Sequence, residues 1–256
     1  MSDMFAGGMS AIPWTDKLKF STDMVEIEHT SYIDWTHRML PMVKTMKPIP
    51  ARAESKDFEA HGVSIDSCYF GAHIFPTKIM APRWMFGEPV EQRATLEVFQ
   101  GYKRGSICFT GPVPIPVLVK KDDVKSVWMS LTPMEVISMK MGISRSRQMT
   151  VIGGMGLGYL ARRCLERKQV KKLIVWELSA EILNYFGRPL KEEFGDRLEL
   201  KVGSIYSPEA YVDMRLADRV LVDIWQSDGV WSWDKEFKKL RAEFADKLWH
   251  WGNKQA

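Results

Sequence analysis

The sequence predicts an α/β protein in which a parallel sheet, shortened at the C-terminus, follows a small antiparallel β unit. Three observations predict it. From Met149 onward, apolar strands alternate with helical segments, an order that demands right-handed crossovers and therefore parallel strands. Between Gly62 and Lys120, short runs rich in β-branched and aromatic residues are punctuated by Gly and Pro. After the fourth apolar strand only one helical segment remains, with no further strand legible behind it.

Composition removes several function classes. The 256 residues are 45% apolar and 27% charged, which excludes a disordered or low-complexity chain. Thirty-six basic and 32 acidic residues leave a net charge of +4, scattered along the chain, so nucleic-acid binding is not indicated. Cys68, Cys108 and Cys164 are odd in number and form no CxxC pair, which suits reduced, buried thiols in a reducing compartment. None of the five histidines stands four residues from another beside an acid, so no metal is implied. No GxSxG elbow surrounds any serine, which leaves nucleophilic hydrolysis without support. The start of the chain lacks a signal-like apolar stretch and no apolar window of about 18 residues occurs, so the reading is a soluble, cytoplasmic protein away from membranes.

Three regions follow in order. Residues 1–60 form an irregular arm, to about residue 30, and a short amphipathic helix from Tyr32 to about Met46, stopped by Pro48 and Pro50. Residues 61–130 hold the β unit, with strands at Val63–Phe70, Thr95–Tyr102, Ser106–Thr110 and Pro114–Val119. The second and third read as a hairpin turning near Lys103–Gly105, and Pro112, Pro114 and Pro116 assign the last to a sheet edge or loop. Residues 131–256 form the parallel domain. Thr132 caps a helix with Pro133 in its first turn. Strands follow at Met149–Ile152, Lys172–Trp176, Arg197–Val202 and Arg219–Ile224. Helices lie at Tyr159–Lys168, after Ser179 until Pro189, and from Asp234 to about Trp251.

The segment Val151-Ile-Gly-Gly-Met-Gly-Leu-Gly158 joins a strand to a helix. Its glycines permit a sharp turn and keep Cβ atoms away from a ligand. Nineteen residues after Gly158, Glu177 ends the next strand, where an acid can accept hydrogen bonds from both ribose hydroxyls of a nucleoside. Two cofactor classes satisfy these residues. Gly156-Leu-Gly158-Tyr-Leu-Ala161 fits the dinucleotide form GxGxxA, and Gly154-Met-Gly-Leu-Gly158 fits the GxGxG turn of S-adenosylmethionine proteins.

The runs TVIGGMGLGYLARRCLERKQVKKLIVWELSAEIL, RLELKVGSIYSPE and ADRVLVDIW resemble class I S-adenosylmethionine-dependent methyltransferases, and among these the spermidine-synthase-like branch. That branch also enters its glycine turn through a hydrophobic-Ile-Gly-Gly sequence, and Thr132-Pro-Met-Glu135 stands where it carries a Tyr-x-Glu element. The resemblance implies a Rossmann-like domain with S-adenosylmethionine as cofactor. Gly154, Gly156 and Gly158 would approach its methionine part; Glu177 and Leu178 would meet the ribose end, and Ser204 and Ile205 the adenine. Ser204 replaces the usual acid of a Gly-Asp-Ala element. Asp223, at the end of the fourth strand, would face the acceptor as the catalytic residue.

Gly156 falls where polyamine synthases carry an Asp, and their Asp-Ser-Ser-Asp becomes Asp223-Ile-Trp-Gln-Ser-Asp228. Methyl transfer to a small-molecule acceptor is therefore preferred over aminopropyl transfer, with a non-catalytic nucleotide-binding module as the third reading. Trp225, Trp231 and Trp233 either wall the site or pack under the last helix. The shortened sheet further implies a homo-oligomer that covers its open edge.

Overall fold

The computed structural model of the protein describes residues 24–75, 78–80, 91–93, 95–100, 103–225 and 232–252. The arm before residue 24, and Trp231, lie outside the described residues. The first half contains β1 (Met24–Ile27), α1 (His29–Met39), β2 (Pro48–Ile49), α2 (Ser55–His61), β3 (Val63–Ile65), β4 (Cys68–Phe75), β5 (Lys78–Met80) and β6 (Glu91–Arg93). β7 (Thr95–Gln100), β8 (Lys103–Phe109), β9 (Val113–Lys120) and β10 (Val127–Ser130) complete it. One sheet has the order β10-β9-β4-β2, with β3 on β4; β1-β8-β7 form a second and β5-β6 a third.

Several expectations are corrected here. Residues 24–27, read as arm, pair in parallel with β8, and β2 pairs in parallel with β4, so the unit is mixed rather than purely antiparallel. The first helix begins at His29 and gives way after Met39 to a 3-10 turn at Pro41–Thr45, because Pro41 cannot donate within a continuing α-helix. Gln100 pairs with Lys103, which moves the hairpin turn ahead of Lys103–Gly105. β9 is an inner strand despite Pro114 and Pro116. Leu131 N–H donates to the Pro116 carbonyl, so both proline nitrogens face the side away from β4, just past the point where β10 stops pairing at Val117. The missing N–H groups therefore break no ladder bond.

The second half begins with α3 (Pro133–Arg145), capped as expected by the Thr132 hydroxyl, which accepts from Glu135 N–H at 3.4 Å. It continues with β11 (Gln148–Gly153), α4 (Tyr159–Leu165), β12 (Val170–Glu177), and α5, built from Ala180–Ile182, a π turn at Leu183–Gly187, and Arg188–Phe194. β13 (Leu198–Val202), α6 (Pro208–Leu216), β14 (Arg219–Val222), α7 (Lys235–Phe244) and β15 (Leu248–His250) follow. Ser179 caps α5 as expected, yet Pro189 does not end it. The wide π turn immediately before Pro189 opens the ladder where its ring would strike the preceding carbonyls.

All five strands of this half are parallel, in the order β13-β12-β11-β14-β15. That is a Rossmann-like arrangement, with the order reversing between β11 and β14. The expected four strands are corrected to five. The last helix ends at Phe244 rather than near Trp251, and Leu248–His250 forms the extra edge strand against Val220–Val222. The upstream hairpins form sheets of their own and do not extend this one.

Side chains alternate across the parallel sheet. Ile152, Leu173, Val175 and Leu221 face a core shared with α3, α4, α5 and the first half; Val151, Ile174, Val220 and Val222 face α6 and α7. Phe237, Leu240 and Phe244 bury one face of α7, contributing about 1.5–3 kcal/mol apiece. β15 is fastened to α3: the Trp249 ring lies where a Cβ on Gly142 would sit, and Trp251 Nε1 donates to Ser138 Oγ at 3.0 Å.

Candidate active site

The strand ends converge through backbone bonds that continue the ladder beyond the strands. Gly154 N–H donates to Trp176 O at 2.8 Å, Gly203 N–H to Glu177 O at 2.9 Å, and Asp223 N–H to Gly153 O at 2.9 Å. Three strand-end loops are thereby held around one point, the crevice where the strand order reverses, and a cavity of about 410 Å³ opens there. That volume falls within the roughly 300–1,000 Å³ of small-molecule sites.

The glycine turn forms its floor. Gly154 has φ +95°, and a Cβ there would lie 2.2 Å from the Asp223 carbonyl oxygen. Gly156 has φ +50°, and its Cβ would lie 2.0 Å from Met129 Sδ. At Gly154 both the conformation and the backbone approach require glycine; at Gly156 the conformation favours it, while the Met129 side chain could shift. Gly158 caps α4 and does not border the cavity.

Glu177 borders the cavity at the end of β12. Its carboxylate accepts from Met155 N–H at 2.8 Å and from Ser179 N–H at 3.0 Å, so it ties the glycine turn to the start of α5. Leu178, 74% exposed, forms the rim, and Ile205 is buried against Gly153. Ser204 Oγ accepts from Tyr206 N–H at 3.1 Å, leaving its hydroxyl hydrogen free to donate.

Asp223 behaves differently. It is 8% exposed and borders the cavity, and no group among the described residues hydrogen-bonds its carboxyl. Burial pushes that carboxyl up to about 7. Glu135, on α3, is pushed up to about 8 by burial and then by the Asp223 charge. Glu135 does not border the cavity.

Several bordering residues escape a reading of local motifs. Asp66, Ser67, Lys120, Trp128 and Met129 come from the first half and roof the cavity. The turn carrying Asp66 is docked onto α5, its N–H donating to Glu181 Oε2 at 2.7 Å, while Lys121 donates to the Asp66 carbonyl. On the opposite wall, Tyr206 and Trp225 share Asp234 as acceptor, at 2.6 and 3.4 Å. Burial and the Asp234 hydrogen bond both raise the Tyr206 hydroxyl. Trp225 thus both walls the cavity and packs edge-on against Phe237 of α7, whereas Trp233 is exposed. Two residues beyond Ser204, Tyr206 was within reach of the sequence motif; the roof had no local signal.

Among the described residues, no group of three or more His, Cys, Asp or Glu side chains is placed to hold a metal ion, and no helix is long and apolar enough to cross a membrane. No family model and no curated protein matches the chain. Solved structures do. A methyltransferase from Geobacter sulfurreducens is 17% identical over 37% of this chain and 50% of its own, with a TM-score of 0.29. A precorrin-6y C5,15-methyltransferase from Geobacter metallireducens is 20% identical over 36% of this chain and 49% of its own, with a TM-score of 0.29. An SAH-bound methyltransferase from Podospora anserina is 17% identical over 45% of this chain and 48% of its own, with a TM-score of 0.34. The chain thus spans about half the length of each of these structures.

Proposed function

We propose that this protein transfers a methyl group from S-adenosylmethionine to a small-molecule acceptor bound beside Asp223. The observation that carries the reading is the buried Asp223 carboxyl, which no described residue hydrogen-bonds and which borders the same cavity as Gly154 and Gly156 of the glycine turn. The β unit preceding the parallel domain and the Ile152-Gly-Gly entry favour the spermidine-synthase-like branch of that class.

The residues fit the cofactor. Gly154 and Gly156 border the part of the cavity where its methionine part would lie. Each Glu177 oxygen retains a lone pair beyond the amide it already accepts, enough for ribose hydroxyls. Leu178 and Ile205 would flank the adenine, with Ser204 at its edge.

The cofactor supplies a methyl group already activated on a sulfonium sulfur, so alignment and proton removal are what this chain must add. The acceptor's lone pair would form the new bond to that carbon, the sulfur leaving with the electrons of the bond it loses, while this chain's residues hold the two in line. Asp223 takes the acceptor's proton, and its raised value suits a base working near neutral pH. Tyr206 and Trp225, held by Asp234, wall the reacting end and exclude water.

Calorimetry tests the reading. S-adenosylhomocysteine is expected to bind with a Kd on the order of micromolar, and Glu177→Ala to weaken it at least about tenfold. No heat at millimolar ligand overturns it.

A further inference from the structure

We propose that Lys120 and Trp128 form a carboxylate-binding subsite at the roof of this cavity, an inference that rests on the adenosyl-ligand reading above. Lys120 is the single cationic side chain among the described residues that border the cavity. Its backbone is fixed on both sides: the residue pairs with Cys68 of β4, and its N–H donates to Ser126 O at 3.1 Å. Its ammonium lies 5.3 Å from the centroid of the Trp128 ring, which also borders the cavity.

Other lysines nearby are spent on the protein itself. Lys121 donates to the Asp66 carbonyl and lies over the Tyr69 ring. Lys201 bonds Asp213 and Glu199, and Lys172 bonds Glu199. No ion pair joins Lys120 to a carboxylate among the described residues: Asp66, which shares the roof, makes none with it, and Glu177, on the floor, is engaged by two amides. A cation without an ion-pair partner among the described residues, in a cavity also lined by Cys68, Met129 and Ile182, attracts an anion more strongly than one in open water.

The chemistry of the pair selects among anions. One ammonium and one indole face match a single negative charge on a small group. No arginine among the described residues borders the cavity to fork a phosphate, so a singly charged carboxylate is the simpler match. Met129, next to Trp128 on β10, lies over Gly156 and borders the same cavity as the subsite. A carboxylate there comes either from the amino-acid end of the cofactor or from the acceptor. A decarboxylated adenosyl ligand would leave Lys120 without a partner, which favours methyl over aminopropyl transfer.

Calorimetry on wild type, Lys120→Met and Lys120→Arg would compare S-adenosylhomocysteine with 5′-methylthioadenosine, which lacks the amino-acid end. Fluorine NMR of 4-fluorobenzoate would be recorded on the same proteins, free and with S-adenosylhomocysteine, after thermal melts confirm that the variants fold. A loss of about tenfold for S-adenosylhomocysteine in Lys120→Met, largely restored in Lys120→Arg, with 5′-methylthioadenosine unchanged, assigns the subsite to the cofactor. Unchanged adenosyl ligands with 4-fluorobenzoate binding lost in Lys120→Met assigns it to the acceptor. The subsite is overturned if Lys120→Met alters neither S-adenosylhomocysteine nor 4-fluorobenzoate, or weakens both adenosyl ligands alike. Should neither adenosyl ligand bind wild type, the cofactor reading fails by itself, and the 4-fluorobenzoate comparison still decides the subsite.

Discussion

Two carboxyl groups, at the ends of the strands on either side of β11, have opposite circumstances. Glu177, after β12, is satisfied by two backbone amides and so acts first as a brace between the glycine turn and α5. Asp223, after β14, is buried with no hydrogen-bond donor among the described residues and pays the desolvation cost of its charge alone. A group left in that condition contributes nothing to holding the fold and is available for proton transfer. The contrast separates a carboxylate fixed as a brace from one that the proposed reaction would use as its base.

Replacing Asp223 strains this contrast most. Asp223→Asn preserves volume and removes the base, so methyl transfer is expected to fall by about 10²–10⁴-fold while S-adenosylhomocysteine affinity stays within about threefold. Measured rates and calorimetric affinities that fall together would erase the distinction between the two carboxyl groups. In the wild type, the rate should rise with pH through about 7 as the carboxyl ionises.

The same group links stability to pH. Its folded-state value of about 7 lies above the ordinary 3.8, so the native chain binds that proton more tightly than the unfolded chain. The stability it contributes is complete below about pH 4 and is lost as pH rises through 7. Asp223→Asn should therefore be more stable than wild type at pH 8, by on the order of 2–4 kcal/mol, with the gap closing toward pH 4 in urea titrations.

Glu177 should respond in the opposite sense. Glu177→Ala strands the Met155 and Ser179 amides and is expected to cost about 2–3 kcal/mol in urea unfolding at neutral pH. A loss equal to that of a surface substitution would show that the brace is dispensable. The smallest effect belongs to Ser204→Asp, which adds an acceptor at the cavity edge and should tighten S-adenosylhomocysteine by about threefold in a titration.

Much of the parallel half was legible because its signals are local. The apolar runs at β11, β12, β13 and β14, the Thr132 and Ser179 caps, and the glycine turn each follow from neighbours within a few residues. β15 was not legible, since Leu248-Trp-His250 also continues the apolar stripe of α7, and only the open edge of β14 makes it a strand. Pro114 and Pro116 misled because the cost of a proline in a sheet depends on which partner its nitrogen faces, a matter of tertiary arrangement, and Pro189 because a π turn relieves its ring clash.

By itself the sequence determined the α/β class, the strand-turn-helix around Gly154 to Gly158 and the placing of Glu177 and Asp223 at strand ends, because periodicity and turn chemistry act over short spans. Tertiary structure alone decided that Met129 closes over Gly156 in a cavity Lys120 and Trp128 also border, that Glu177 is braced, and that no described residue hydrogen-bonds the Asp223 carboxyl. Those outcomes depend on which distant surfaces meet and which donors they exclude, and no local pattern encodes that.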